Sequence, residues 1–274
     1  MEIVISDNNS KDNTRVVVKK FQERYKNIQY FKRKRNVRGD KNIIESALFS
    51  KGMYIWFFSD DDIHYSWSIK TVLNIIEGYR PDGIICNLDL CSKDEKKMLD
   101  KNMLHLKKDA FVNSKKQLFT FLETKFFLPL DWYITCLSNT IVSSQLYQRS
   151  LPNVMKYYNP KTINFLHSGL IYYNNTDYKI YMMSKSVAKF RADNRAFGPD
   201  EHTHKAEYLT YLYKFLKKHN DLILKINKKN ISLKFRLFLY LKNLTRSFRL
   251  AAVSYFDYDI SGILIRLFQK KDLS

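Results

Sequence analysis

Three consecutive carboxylates, Asp60, Asp61 and Asp62, follow the apolar run Tyr54–Phe58. Adjacent carboxylates repel each other, so a cluster of them is stabilised by a nearby cation. Carboxylate oxygens are hard ligands that suit Mg²⁺ or Mn²⁺, and these ions also bind diphosphate oxygens. The cluster therefore predicts a divalent-cation site. The alternative is an acidic N-terminus of the helix that begins near Trp67.

A second polar turn follows the apolar run Ile3–Ile5 and begins Ser6-Asp7-Asn8-Asn9. In a parallel sheet, turns that follow two such strands lie at the same edge, where open α/β folds bind nucleotides. A carboxylate at a strand end, such as that of Asp7, can accept a hydrogen bond from a pyrimidine N–H. Asp12 and Thr14 are typical helix caps, and turn chemistry explains them at least as well as ligand contact does. The two turns together predict a site for a nucleotide and a cation.

The composition bounds the protein class. The chain has 274 residues, 45% of them apolar and 15% aromatic, which predicts one large folded domain or one domain with an appendage. Its three cysteines are odd in number and lack CxxC spacing, which predicts reduced thiols and a cytoplasmic protein. The net charge of +20 requires an anionic partner, and nucleic acid, anionic lipid and phosphorylated substrates all qualify.

The elements that position the two turns alternate in type. We predict strands at 2–6, 28–31, 53–58 and 84–90, and helices at 13–25, 40–50 and 67–79. This βαβαβαβ order predicts a Rossmann-like α/β sheet, and the run 53–58, apolar on both faces, predicts a central parallel strand. Residues 92–110 are Lys-rich and predict a surface excursion. Further strands are expected near 138–142 and 179–183, with a helix around 145–157.

The tail predicts a basic amphipathic helix. On a helical wheel of 231–250, five apolar residues fall within an arc of about 80°: Leu233, Leu237, Leu241, Leu244 and Phe248. Four cations occupy the adjoining arc: Lys234, Lys242, Arg246 and Arg249. This pattern is typical of helices that lie on an anionic membrane surface, here through residues 230–252. A helix packed on its own domain with a solvated basic face is the alternative.

Four segments in order resemble family 2 glycosyltransferases of the GT-A fold: Glu2–Thr14, Arg35–Asn42 with Ala47, Gly52, and Tyr54–Asp62. The Phe-Ser-Asp-Asp-Asp form is similar to the abequosyltransferase-like branch, which builds bacterial surface polysaccharides. The resemblance covers residues 2–90. It implies an inverting enzyme that moves a sugar from a nucleoside-diphosphate sugar to a hydroxyl of a growing lipopolysaccharide, capsule or related glycan, with Mn²⁺ or Mg²⁺ as cofactor.

The same resemblance implies the site residues. Asp60–Asp62 would be the DXD motif, with Asp62 and Asp60 at the metal and with Asp60 and Asp61 near the ribose. Asp7 and Asn9 would contact the nucleotide. Gly39 would permit a backbone shape that other residues resist, and Arg38 and Lys41 would meet a phosphate, with a solvated surface role as the alternative for these two cations.

The catalytic base is less clear from the sequence. The family's usual base is a carboxylate downstream of the metal motif, often in a Glu-Asp pair, and this chain has no such pair there. His167 and Asp131 are the candidates, and the imidazole pKa suits base catalysis near neutral pH. Trp132 is a candidate for stacking on an acceptor sugar or for simple burial. His202 and His204 lack an evident third ligand, which favours solvated residues over a metal site.

The domain plan has a GT-A domain at 1–195 and a basic helical extension at 196–274. The domain divides into a nucleotide-binding half (1–90) and an acceptor half (91–195). Family members begin with one more strand and helix, on the order of 30 residues. Their absence here predicts either that the true start lies upstream or that the gene product is truncated. For the chain as given it predicts an exposed sheet edge and weakened or absent activity.

Two other functions stay open: a non-catalytic remnant and a basic nucleic-acid-binding protein. Nucleic acid is not favoured, because it leaves the three Asp residues unexplained. The expected partners are a nucleoside-diphosphate sugar and a glycan or polyprenyl-linked acceptor. The expected location is the cytoplasm, with peripheral binding at the inner face of the cell membrane.

Overall fold

The computed structural model describes residues 1–92, 94–123, 136–159, 166–174, 176–191, 221–237 and 240. The chain divides into two compact units, Met1–Asn194 and Arg195–Ser274. Asp131 and Trp132 lie outside the described residues, as do His202 and His204.

The first unit alternates strands and helices. Its strands are β1 (Ile3–Asp7), β2 (Ile28–Lys32), β3 (Tyr54–Trp56), β4 (Ile63–His64), β5 (Gly83–Cys91), β6 (Met98–Asp100), β7 (Ala110–Val112), β8 (Thr140–Ser143) and β9 (Ile180–Arg191). Its helices are α1 (Thr14–Arg24), α2 (Gly39–Ser46), α3 (Ser68–Tyr79), α4 (Lys115–Glu123), α5 (Ser144–Lys156) and α6 (Leu166–Tyr172). Short 3₁₀ turns lie at Ala47–Phe49 and Leu137–Asn139. The predicted α/β alternation is therefore present.

The strands form two sheets. β1 and β2 pair in parallel, with Ile3 opposite Ile28, as a two-stranded sheet. The larger sheet has the order β3-β8-β5-β9-β4, with β6 on β5 and β7 on β9. Among the described residues β1 pairs with β2 alone. The Glu2 carboxylate bridges the sheets, because it accepts hydrogen bonds from the amides of Lys51 (2.5 Å) and Gly52 (3.0 Å) just before β3.

The prediction that 53–58 is a central parallel strand was wrong. β3 is three residues long, lies at the end of the larger sheet and pairs antiparallel with β8. The central strand is β5, which pairs antiparallel with β8 and in parallel with β9, and whose first six residues are all buried. Both runs are apolar on both faces, and pairing partners that are distant in sequence decide which one is central.

The core of the larger sheet packs against α3. Val72 and Ile75 of α3 contact a buried cluster that includes Ile84, Cys86 and Leu88 of β5. Residues 92–110 are only partly the surface excursion that the sequence predicts. They include β6, and Met103, Leu104 and Leu106 are buried, with Met103 in the same cluster. The prediction relied on the lysine content of this segment, which gives no indication that these three residues are buried.

The second unit is helical where it is described, at 221–226 and 233–237. Ile231 and Phe235 are buried, whereas Leu233 and Leu237 are exposed. The other members of the predicted apolar stripe, Leu241, Leu244 and Phe248, lie outside the described residues. No helix in the described ranges is long and apolar enough to span a bilayer.

Two glycines give a matched test of this packing. A Cβ on Gly83, at the start of β5, would lie 2.8 Å from Ile180 Cδ1 and 3.2 Å from the Ile141 carbonyl oxygen. Gly83→Ala should therefore destabilise the fold by about 1–3 kcal/mol, because a close-packed strand must shift. Gly78→Ala, in α3 with no atom within 4 Å of the new methyl group, should stabilise by about 0.5–1 kcal/mol. Thermal unfolding of both variants would check this, and equal midpoints would contradict the packing of β5.

Candidate functional site

The acidic turn after β3 is held by groups from two distant segments. The Ser59 amide donates a hydrogen bond to Ser138 Oγ (3.0 Å), and the Trp56 indole donates one to the Ser138 carbonyl (2.9 Å). From the end of β9, the Arg191 guanidinium donates to the Asp61 carbonyl, and the Ser59 hydroxyl donates to the Asp61 carboxylate. The turn is therefore fixed before any ligand arrives.

Asp62 is the unusual member of the turn. Both of its carboxylate oxygens are buried, and neither has a hydrogen-bond partner. Burial raises the pKa of Asp62 to about 6, and the neighbouring Asp61 charge adds to this rise, while Ser138 and Arg191 oppose it. A buried carboxylate is costly to the fold, so Asp62 is the strongest candidate in this turn for a ligand-binding group.

The acidic turn supplies some, but not all, of the ligands that a divalent cation needs. Asp62 offers two unpartnered hard oxygens, and Asp60 beside it is exposed. Within the described ranges no three His, Cys, Asp or Glu side chains form a ready metal cage. Mg²⁺ and Mn²⁺ sites of this kind need only one or two carboxylates, because water and substrate phosphates complete the coordination. Asp62 and Asp60 are therefore the residues that would hold the ion.

Asp7, at the end of β1, is buried, and both of its carboxylate oxygens have partners within the protein. It accepts hydrogen bonds from the Ser10 amide (2.6 Å) and the Tyr30 hydroxyl, and Lys32 Nζ lies 3.8 Å from its Oδ2. Burial alone would raise the pKa of Asp7, but the hydrogen bonds from Tyr30 and Ser10 outweigh it and lower that pKa. The carboxylate therefore stays ionised, and a base N–H would have to share oxygens that already have partners.

Two loops beyond β1 and β2 are tied together. Asn8 Nδ2 donates to Asn36 Oδ1 (3.0 Å), and the Val37 amide donates to Asn8 Oδ1 (2.9 Å). Asn9 has φ 69° and Arg38 has φ 77°. A positive φ is tolerated by Asn but costs a residue such as Arg of order 1–3 kcal/mol.

The expectation for Gly39 was wrong in its position. Gly39 opens α2, and no glycine in the described residues has a positive φ. The unusual backbone shape belongs to Arg38, the residue before it. Arg38 Nε lies 3.6 Å from the Asp40 carboxylate, and Lys41 Nζ lies 3.6 Å from that of Glu45. Both cations are thus partly neutralised within the protein.

Asn42 is a buried residue at the end of the segment Arg35–Asn42, and the sequence assigned it no role. Its amide donates to the Ser6 carbonyl of β1 (2.7 Å), and its oxygen accepts from Ser6 Oγ (2.8 Å) and Arg33 Nε (2.7 Å). It anchors α2, and with it Arg38 and Lys41, to the end of β1. Its place in the resembling segment gives no indication of these partners, and Ser138 and Arg191 lie in no segment of that kind, so only the folded structure reveals the three contacts.

Of the two candidate bases, the structure describes His167 but not Asp131. His167 is 4% exposed and lies in α6, all seven residues of which are buried. α6 packs on α5 and α2. Asp131 lies outside the described residues. A base must come within hydrogen-bond reach of the acceptor hydroxyl, so the burial of His167 keeps its imidazole from a substrate in this arrangement.

The open cavity of about 510 Å³ in the described chain is not at the acidic turn. It lies along β2 and the following loop and is lined by Tyr30–Arg35, Val37 and Phe49. Phe31 and Phe49 stack there with ring centroids 4.2 Å apart. Tyr30, which also binds Asp7, connects this cavity to the turn after β1.

The raised pKa of Asp62 predicts a pH-dependent stability. Its ordinary pKa of 3.8 rises to about 6 in the fold, so the charged form is disfavoured there. The shift corresponds to at most about 3 kcal/mol, a cost that is absent below pH 4 and fully present above pH 6. Asp62→Asn should therefore raise the unfolding temperature at pH 7.5 and give no gain at pH 4. Asp60→Asn is the control, because that side chain is exposed. An equal gain for Asp62→Asn at both pH values would contradict the burial of its charge.

Two solved structures resemble this architecture, one of them a mannosyltransferase. The chain is similar to Staphylococcus aureus TarS 1-349 in complex with UDP, at 14% identity and a TM-score of 0.52, covering 86% of this chain and 67% of that one. The mannosyltransferase PcManGT from Pyrobaculum calidifontis, in complex with GDP-Man and Mn²⁺, is similar at 11% identity and a TM-score of 0.55, covering 100% and 71%. These likenesses show the GT-A fold. No curated protein matches the chain.

The family model "Glycosyl transferase family 2" matches residues 1–149, more than half of the 274-residue chain. The matched range contains the turn at Asp7, the loop at Arg38 and the acidic turn at Asp60–Asp62. It also contains Ser138, which holds that turn from a distance. The chain therefore belongs to glycosyl transferase family 2.

Proposed function

We propose that this chain is a metal-dependent, inverting glycosyltransferase. It would move a sugar from a nucleoside-diphosphate sugar to a hydroxyl of a growing cell-surface glycan. The observation that carries the proposal is the Asp62 carboxylate, which is buried without a hydrogen-bond partner in a turn fixed by Ser138 and Arg191. The Phe58–Asp62 sequence supports a place in the abequosyltransferase-like branch.

The donor would lie between the acidic turn and the tied loops. Asp7 and Asn9 would orient the base, and Asp60 and Asp61 would contact the ribose. Arg38, Lys41 and the first turn of α2 at Gly39 would face the diphosphate, because a helix N-terminus favours anions. The strained backbone of Arg38 supports this, since strain that the surroundings maintain clusters at ligand-binding positions.

A divalent cation held by Asp62 and Asp60 would stabilise the charge that builds on the departing nucleoside diphosphate. Asp61 stays within the turn through Ser59 and Arg191, so the turn need not rearrange when a donor binds. A base would remove the proton of the acceptor hydroxyl, which attacks the anomeric carbon from the opposite face. Asp131 and His167 are the proposed bases, and His167 would serve only after α6 moves.

Donor binding tests the proposal directly. We expect one of UDP, GDP, CDP and dTDP to bind in the presence of Mn²⁺ and at least tenfold more weakly without it. Asp62→Ala should remove the Mn²⁺ dependence, because the buried oxygens are then lost. Calorimetry with each nucleotide would measure this.

The control for this experiment is Asp94→Ala, which changes an exposed carboxylate paired with Lys96. It should bind as the unaltered chain does. Metal-independent binding that survives Asp62→Ala, or no binding of any nucleotide, would contradict the proposal.

We also propose that the second unit binds the anionic inner face of the cell membrane, where a polyprenyl-linked acceptor would lie. Leu233, Leu237 and Tyr240 are 73%, 56% and 59% exposed. The same stretch carries five cations (Lys225, Lys228, Lys229, Lys234 and Arg236) and one acidic residue, Asp221. Exposed apolar side chains among cations complement the headgroup region of an anionic bilayer.

Vesicle binding tests this second proposal. The chain should cosediment with phosphatidylcholine vesicles containing one quarter phosphatidylglycerol, and less so at high salt. The triple variant Leu233→Gln, Leu237→Gln, Tyr240→Gln should bind at least tenfold more weakly. The matched control replaces Leu48 and Leu73, exposed leucines of the first unit, by Gln. Equal binding to neutral vesicles, or no loss in the triple variant, would overturn it.

A further inference from the structure

A row of cations and aromatic rings runs along β9, starting at the acidic turn. Arg191, at the end of β9, contacts the Asp61 carbonyl. Lys189 Nζ lies 5.9 Å from the centroid of the Tyr65 ring, and Lys185 Nζ lies 4.9 Å from that of Trp67. The Tyr65 and Trp67 rings stack on each other at 4.4 Å with an 8° angle between their planes. We call Tyr65, Trp67, Lys185 and Lys189 the β9 track.

The pairing of β4 with β9 gives the track its direction. β4 is antiparallel to β9, with Ile63 opposite Lys189, and the Tyr65 amide donates to the Val187 carbonyl (3.0 Å). The chain therefore leaves the acidic turn and runs back along β9. The chain then turns at Tyr65–Ser68, where the Ser68 amide donates to the Tyr65 carbonyl (3.0 Å). Along β9, Lys185 precedes Arg191 by six residues, which is at most about 20 Å at about 3.3 Å per extended residue. The far end of the track therefore lies within the length of a few sugar units from the acidic turn.

The two rings are held in place by half-buried polar groups. The Tyr65 hydroxyl donates to Asp89 Oδ2 (2.5 Å), and Asp89 Oδ1 accepts from Ser186 Oγ (2.6 Å) and the Asn102 amide (2.8 Å). The Trp67 indole donates to the Ser186 carbonyl (3.3 Å). Because the rings are already fixed, a ligand does not have to order them, and the entropy cost of binding is smaller.

The lysines of the track have no acidic partner. Within the described ranges neither Lys185 nor Lys189 has a carboxylate oxygen within 4.0 Å. Trp67 is 40% exposed. Lys185 is exposed and Lys189 is half-buried, and contacts of exposed lysines with rings are worth only about 0.5–1 kcal/mol. An anionic ligand can therefore draw both ammonium groups away from the rings and expose the indole face.

We propose that the β9 track binds an anionic glycan, with a sugar ring against Trp67 and its acidic groups paired with Lys185 and Lys189. The inference rests on the proposed function, because the glycan would be the acceptor whose growing end reaches Asp60–Asp62. The recognised chemistry is a carboxylate or phosphate borne by a saccharide. The alignment of the track with the acidic turn favours this ligand over a nucleic acid, because the reaction proposed for that turn acts on a hydroxyl of a glycan.

Single-stranded nucleic acid also uses stacked rings and cations, so it is the main competing outcome. The experiment measures four fluorescently labelled probes by anisotropy: hexagalacturonate, phosphorylated maltohexaose, maltohexaose and a ten-nucleotide oligothymidylate. We expect at least one of the two anionic glycans to bind at least tenfold more tightly than maltohexaose and oligothymidylate. The preference for the anionic glycan should fall as salt is raised.

Variants locate the binding. Trp67→Ala should weaken the anionic glycan at least tenfold, and Trp67→Phe less than threefold, since it keeps a ring. The pair Lys185→Ala, Lys189→Ala should remove most of the salt dependence. The matched controls are Phe21→Ala and the pair Lys19→Ala, Lys20→Ala on α1, where Phe21 and both lysines are also exposed. These should bind within a factor of two of the unaltered chain.

The outcomes separate this inference from the proposed function. Tighter binding of the oligothymidylate, or no binding of either anionic glycan, would overturn the track while leaving Mn²⁺-dependent nucleotide binding intact. Equal losses in the α1 controls would also overturn it, because they would show only an effect of total charge. A thermal midpoint for Trp67→Phe close to that of the unaltered chain would show that its affinity reports on contact and not on unfolding.

Discussion

The burial of the Asp62 charge is the constraint on which the site depends. A carboxylate without hydrogen-bond partners raises the free energy of the folded state, so the surrounding structure must hold it against solvation. Ser138 binds the turn through both its hydroxyl and its carbonyl, and Arg191 reaches it from the end of β9. These contacts come from residues nearly 80 and 130 positions away. The larger sheet is thus the frame that keeps the charge in place.

The two halves of the candidate donor site are supported in different ways. The acidic turn depends on the larger sheet, whereas Asp7, Arg38 and Lys41 depend on the two-stranded sheet and α2. Asn42 joins α2 to β1, and Glu2 connects β1 to the amides before β3. Each connection is a few hydrogen bonds, each worth about 0.5–1.5 kcal/mol net. The first half is therefore anchored by the core of the larger sheet, and the second by these hydrogen bonds together with the packing of α2 on α6, where Ile44 is fully buried.

The sequence predicts the features that depend on neighbouring residues, and it does not predict those that depend on contacts between distant segments. The helices and strands of residues 1–90 follow from periodicity and turn residues, and the acidic turn follows from three adjacent Asp residues whose repulsion is evident without a structure. The place of β3 at a sheet end could not be predicted, because its apolar pattern equals that of β5 and only distant pairing distinguishes them. Ser138 and Arg191 belong to no pattern, and the segment that contains Asn42 does not indicate its contacts with Ser6 and Arg33. Glycine is the usual residue in a strained position, so the sequence assigns that position to Gly39, although Arg38 adopts it.

The long strand β9 links the chemistry to the rest of the unit. It pairs in parallel with the central strand β5, antiparallel with β4 and β7, and ends at Arg191 against the acidic turn. Two bulges in its register with β5 lie between the partners of Ile85 and Leu88. An extra residue in a strand changes which face its side chains take, so these bulges decide that Lys189 and Arg191 project as they do. A shift of one residue there would turn both cations to the opposite face, and the acidic turn would lose its contact with β9 while the core of β5 stayed paired.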